Sequence, residues 1–455
     1  MIKKVLARLR SLGENDKIVY KNVIGAFVVK GAALFVTLYT MPSYIRFFND
    51  DEVLGLWFTI LSILNWILNF DLGIGNGLRN HLSTALSLKD KEKAKGYVSS
   101  AYFSIGIIVV VAAAIFPIIL RLVDLNSFLS ISESRVSADA LYKATVIVIV
   151  GVLLQFWLRL INAVLYALQK SSVNNFLVLC TNVITLLFAR YYPSGTNDEN
   201  LIVMAVVHAA AVALPLIIAS VYAFGKPLRE SLPSLKHFKK EYTKQVLSLG
   251  GIFFFVQIAY LIIMSTNEFL VTKTVGNEFN VDYQAYYKLF SLGSTVFALA
   301  LTPVWSVITK AQAENNMGWI KSTYKKFMAL GALFCLGEFA IIPFMDFIME
   351  IWLGEEALIQ TGTLEGISFA LLGSAMVING VLSSIANGIG KLKTQAICFG
   401  IGAVLKIPLA YILVELTGSW LGVVYSNIIC MGAYCIVQPI VFNKTFKTSK
   451  YTLEE

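Results

Sequence analysis

"DLGIGNGLRNH" (residues 71–81) places three glycines within five residues, directly behind an apolar run. Either the stretch cradles a phosphate or it closes a membrane helix. A dinucleotide-binding turn needs G-x-G-x-x-G between a strand and a helix. Gly73, Gly75 and Gly77 give G-x-G-x-G instead, and no Lys-Ser/Thr pair of a phosphate loop follows. Upstream runs "VLGLWFTILSILNWILNF" (53–70), which has no charged residue. Asp71 lies about 18 residues into that run, roughly 27 Å at helical rise. The glycines are therefore expected at the end of a membrane helix, where they permit close approach or bending. Arg79 is then expected to exit to the lipid headgroups, and Asp71 to cap, pair with Arg79 or gate.

Composition carries the same reading to the whole chain. Hydrophobic residues make up 57% of the 455, charged residues 14%, and mean hydropathy is +0.71. Ordinary soluble domains carry about 25% charged residues, and one core cannot hide this much apolar surface. The class is an all-α polytopic membrane protein. The net charge of +9 does not point to nucleic acid, because Lys and Arg cluster in short segments between apolar runs. Five cysteines (Cys180, Cys335, Cys398, Cys430, Cys435) lie inside apolar runs with no C-x-x-C pairing. They read as core residues, with no metal site. The basic, amphipathic N-terminus reads as an interfacial helix.

A spanning helix needs roughly 20 mostly apolar residues. Twelve are predicted, over 20–47, 53–79, 97–121, 143–168, 173–191, 201–224, 246–271, 283–309, 327–352, 364–388, 394–415 and 419–442. Alternate connections hold the Lys and Arg, whereas "NDDE", "PSGTNDEN" and "LGEEALIQTGTLEG" hold none. The positive-inside rule then puts both termini in the cytoplasm. Trp57, Trp352 and Trp420 are expected in the aromatic belt of the opposite face. The basic break "KPLRESLPSLKHFKKEYTK" divides the chain into an N-terminal six-helix bundle (1–224), a cytoplasmic linker (225–245) and a C-terminal six-helix bundle (246–455). "INAVL" (161–165) matched by "INGVL" (378–382) favours two parallel repeats. No extramembrane segment exceeds about 25 residues, which leaves no room for a soluble catalytic or nucleotide-binding domain. The chain is not expected to be an enzyme.

An ionisable side chain at mid-bilayer costs about 2.5–3.5 kcal/mol and usually faces a partner or a wet cavity. Lys30 and Lys406 each lie far from a helix end. Polar stripes at helical spacing carry Lys30 on the first span, Asn65 and Asn69 on the second, Gln155, Arg159 and Asn162 on the fourth, and Lys288 and Ser291 on the eighth. Gln257 and Glu268 mark the seventh. Such seams also serve as helix-packing surfaces. Arg159 and Lys288 either face the cavity or snorkel to headgroups. Glu268 and Glu338 either pair with cations or carry protons, and pairing is the favoured reading. His208 reads as a packed residue.

The stretch "LNFDLGIGNGLRNHLS" (68–83) closely resembles the corresponding segment of lipid-linked oligosaccharide flippases. These are the Wzx-type O-antigen transporters of the multidrug/oligosaccharidyl-lipid/polysaccharide exporter superfamily. Length, span count and six-plus-six division are similar too. The resemblance implies a V-shaped pair of six-helix bundles around a central cavity, alternating between inward- and outward-open states in the bacterial inner membrane. It implies a substrate, an undecaprenyl-diphosphate-linked oligosaccharide, moved from the cytoplasmic to the periplasmic leaflet for surface polysaccharide or lipopolysaccharide. Lys30, Arg159, Lys288 and Lys406 would then neutralise the diphosphate, and the polar seams would engage sugars. Membrane lipids, the polysaccharide polymerase and the chain-length regulator are the implied partners. Coupling to protons or sodium is compatible with this and not required by it. The alternatives are a cation-coupled multidrug exporter of the same superfamily, which favours acidic cavity residues, and a membrane enzyme of glycan assembly, which carries a long periplasmic loop.

Overall fold

The computed structural model describes residues 13–69, 73–129, 131–276, 279–353 and 361–451, and among them all regular structure is helical. The chain opens with α1 (Glu14–Phe48), α2 (Asp51–Asn69), α3 (Ile74–Ser87) and α4 (Lys91–Leu120). Next come α5 (Ala138–Leu158), α6 (Leu160–Ala167), α7 (Ser171–Tyr191) and α8 (Asn197–Gly225). They are followed by α9 (Lys240–Ser265), α10 (Asn267–Thr274), α11 (Phe279–Ala313) and α12 (Met317–Ile341). The last four are α13 (Met345–Leu353), α14 (Thr363–Ile389), α15 (Lys393–Thr417) and α16 (Leu421–Tyr451).

Among the described residues, ten helices or helix pairs are long and apolar enough to cross a membrane, and they coincide with the third to twelfth expected spans. The first two expected spans correspond to α1 and α2. The protein is thus a multi-pass membrane protein of the expected all-helical class. The expected second span is not one helix, however. α2 ends at Asn69 and α3 begins after Gly73, which takes φ +66°. The expected fourth span likewise turns at Arg159, between α5 and α6.

Local sequence explains where the helices start. Thr196 and Glu199 form a reciprocal capping box at α8, each side chain bonding the other's backbone N–H. Asp90 and Ser137 accept the Lys93 and Ala140 amides at the starts of α4 and α5. Gly390 and Gly418 close α14 and α15 in the left-handed region, which glycine enters freely.

The chain forms two compact units, Met1–Gly251 and Ile252–Glu455. In the first, α1 packs on α7, α5 on α8, and α3 on α6 and α4. One core gathers Leu78, Leu82, Ile161, Val164 and Val246, and another Phe47, Phe48, Trp57, Leu141 and Met204. In the second unit, α11 and α12 pack on α14, and α15 on α16. Its core stacks Tyr286 on Phe369 beside Trp420. The basic connection before α9 is fastened to the first unit. Ser234 donates its amide to Ser99 Oγ at 3.0 Å, and Lys91 pairs with Glu230 at 2.7 Å.

Trp57 and Trp420 correct the belt expectation. They are 0% and 7% exposed, so both fill cores instead of meeting headgroups. The Trp352 side chain lies outside the described residues. His208 packs edge-on against Trp57, ring centroids 5.7 Å apart, as a packed residue should.

Candidate functional site

The glycine stretch assembles one wall of the site. Gly73 accepts the Gly77 amide at 3.0 Å, so the left-handed residue starts α3 directly. A Cβ at Gly77 would overlap the Val246 carbonyl oxygen of α9, and one at Gly250 would lie 3.0 Å from the Gly73 carbonyl oxygen. Small residues let two backbones meet here, as in membrane helix pairs generally. Gly75, between them, lines a groove. Asp71 lies outside the described residues, as do the side chains of Asn65 and Asn69.

Arg79 is not where the sequence suggested. It is 2% exposed, and its guanidinium lies 4.3 Å from the centre of the Tyr166 ring. α3 buries Leu78 and Leu82 against α6, and this docking carries the adjacent Arg79 inward. Its flat cation then stacks on an aromatic face instead of reaching headgroups.

The opposite wall turns on Arg159. The Arg159 amide donates to the Gln155 carbonyl at 2.8 Å, and the Asn162 amide to the Arg159 carbonyl at 2.9 Å, so the residue sits at the α5–α6 joint. A groove of about 260 Å³ opens there. Ile74 and Gly75 of α3, Ile105, Val109 and Phe116 of α4, and Leu153, Phe156 and Leu160 line it. Among the lining residues Arg159 alone is charged. It is half-buried and forms no ion pair with any described residue. An apolar trough with one guanidinium suits an anionic headgroup carrying a hydrocarbon chain, because Arg binds phosphate through a planar fork of donors. In the second unit, α9 and α15 border a groove of about 560 Å³ lined by Phe255, Ile258, Ile262 and Val404 among others. That groove offers no charged side chain to orient a ligand.

The remaining predicted residues fall in three settings. Lys30 of α1 and Lys288 of α11 are exposed on their own units. Gln155, Asn162, Gln257, Glu268 and Ser291 are half-buried. The carbonyl of Asn162 accepts from Asn174 at 3.2 Å, Ser291 donates to the Lys288 carbonyl at 3.4 Å, and Gln284 donates to Glu268. Lys406 corrects the expectation of a shared cationic cavity. It is fully buried, with Nζ donating to the Val423 carbonyl at 3.0 Å and to Ser426 Oγ at 2.6 Å. Its charge is enclosed by α15 and α16. The structure therefore joins Arg159 and Gly75 in one groove and encloses Lys406 between α15 and α16. Sequence reasoning overlooked Tyr166 as the seat for Arg79, although the two residues occupy the polar edges of adjacent apolar stripes.

Solved structures share this architecture from end to end. A MATE transporter in the bent conformation superposes with a TM-score of 0.73 at 17% identity, covering 96% of this chain and 98% of that one. A multidrug resistance MATE family transporter of the MOP superfamily, outward-facing, gives 0.72 at 16%, covering 97% and 98%. The fold is that of the MATE transporters of the MOP superfamily. A MOP superfamily transporter from Pyrococcus furiosus, described as having a binding pocket of reverse polarity, gives 0.69 at 17%, covering 96% and 97%. In sequence, the chain is 22% identical over 332 residues to the "Putative O-antigen export protein" of Yersinia pseudotuberculosis, covering 68% of this chain and 71% of that protein. No family model matches the sequence.

Proposed function

We propose that the protein is an exporter that moves an undecaprenyl-diphosphate-linked oligosaccharide from the cytoplasmic to the periplasmic leaflet of the bacterial inner membrane. The observation that carries this reading is the Arg159 groove, an apolar trough with one guanidinium that forms no ion pair with any described residue. A diphosphate on a polyprenyl chain has the same two-part character. The sequence similarity to a protein named for O-antigen export and the MOP fold support the same class. Exposed Lys30 and Lys288 would add cations to the substrate's path, while Gln155, Asn162, Gln257, Glu268 and Ser291, with Asn65, Asn69 and Asp71, would meet its polar parts. In this reading both termini are cytoplasmic, the halves 1–224 and 246–455 act as two bundles joined by 225–245, and the chain catalyses no covalent step. Two negative charges leaving a negative interior gain on the order of 4–5 kcal/mol per 100 mV, which favours outward movement without a coupling ion.

The second reading is a cation-coupled multidrug exporter, favoured by the multidrug MATE structures that share the fold. A single assay separates the two. Loss of the protein, in a strain lacking related flippases, should trap completed lipid-linked units on the cytoplasmic leaflet. Their sidedness is read with a membrane-impermeant glycosidase on sealed spheroplasts. Full accessibility from outside rejects the flippase reading. Unchanged glycan with raised drug sensitivity supports the second.

A further inference from the structure

Glu338 lies near the middle of the predicted 327–352 span, on α12, and is 2% exposed. Neither carboxyl oxygen has a hydrogen-bond partner among the described residues, and no cation pairs with it. For Glu338, the pairing favoured from sequence is thus absent among the described residues. Two facing helices shape the space around it. A Cβ at Gly293 of α11 would overlap the carboxyl, and one at Gly373 of α14 would lie 3.0 Å from its Cδ and 2.7 Å from the Phe290 carbonyl oxygen. Both helices are bare of side chain where the carboxyl enters. The titratable neighbour on its own helix is Cys335, whose Sγ lies 3.8 Å from the Ser374 carbonyl. α16 contributes Cys435, whose thiol lies 3.8 Å from the Ala375 carbonyl. α11 and α14 face it with Phe290, Gly293 and Gly373, none titratable.

An ionised carboxylate enclosed this way finds no donor or counter-ion among the described residues, and isolated buried charges neutralise instead of persisting. We infer that Glu338 is a proton-binding site, a neutral carboxylic acid in the conformation described here. Release breaks its O–H bond, passes the proton to water and leaves a hydrated carboxylate. Water reaches it when α11 and α14, whose backbones meet closely at Gly373 and the Phe290 carbonyl, part. Proton occupancy and the spacing of these helices are thereby linked, whatever cargo the protein carries.

Infrared difference spectroscopy of the purified protein in liposomes at neutral pH, wild type against Glu338→Gln, tests the assignment. The expected result is a protonated-carboxyl carbonyl stretch that shifts in heavy water and is lost in E338Q. Should E338Q fail to fold, Glu338→Asp keeps the acid and must shift the same band. A carboxylate stretch in place of the acid band overturns the proposal. So does an acid band that sodium chloride removes at constant pH, since the site would then hold a metal cation. Because the readout is spectroscopic, its failure leaves the flippase reading untouched.

Discussion

Replacing Gly77 by Ala tests whether the glycine stretch is a backbone crossing. A carbon normally approaches a carbonyl oxygen to about 3.3 Å, and a Cβ on Gly77 falls well inside that distance from the Val246 oxygen. The Gly250 amide nitrogen lies 3.1 Å from the same Cβ. Both obstructing atoms are backbone, so no rotamer change relieves the overlap and α3 must move off α9. Overpacking of this kind costs about 1–3 kcal/mol. Gly251 supplies the control, because a Cβ there meets nothing within 4 Å. Alanine at that helical position should gain up to about 1 kcal/mol in propensity. The two variants should therefore differ by about 1–4 kcal/mol, on the order of 5- to 1,000-fold in unfolding constant. Reversible unfolding in mixed micelles titrated with dodecyl sulfate, followed by circular dichroism, measures the difference. Equal stability of Gly77→Ala and Gly251→Ala would refute the crossing.

Two further outcomes follow from the cations. Arg159→Gln should fold normally and lose glycan display, with Arg159→Lys partly active because it keeps the charge without the fork; full display by the glutamine variant removes Arg159 from the substrate's path. Lys406→Met should be as stable as wild type or more so, since an apolar chain of similar volume removes the desolvation cost of a buried cation, while Lys406→Ala should lose about 2–5 kcal/mol to the cavity left behind. Loss of transport in a stable Lys406→Met protein would show that its charge meets the substrate in another conformation.

Helices and chain order were legible because hydropathy reports directly on what crosses a bilayer. The all-helical class, the helices at the expected spans and the closeness of approach at Gly77 all follow from apolar length and residue size. The facing of each helix was not legible. In a soluble protein the polar side of a helix marks solvent, so periodicity locates the core. In a bilayer both lipid and protein interior are apolar, and packing is driven by fit instead of by water. Trp57 and Trp420 thus read as belt residues until cores enclosed them. Lys406 and Glu338 read alike as intramembrane charges, and Arg79 read as a headgroup residue. Tertiary structure alone gave Arg79 an aromatic ring, Lys406 a carbonyl and a hydroxyl, and Glu338 two glycines, because those partners sit on other helices whose facing the sequence does not report.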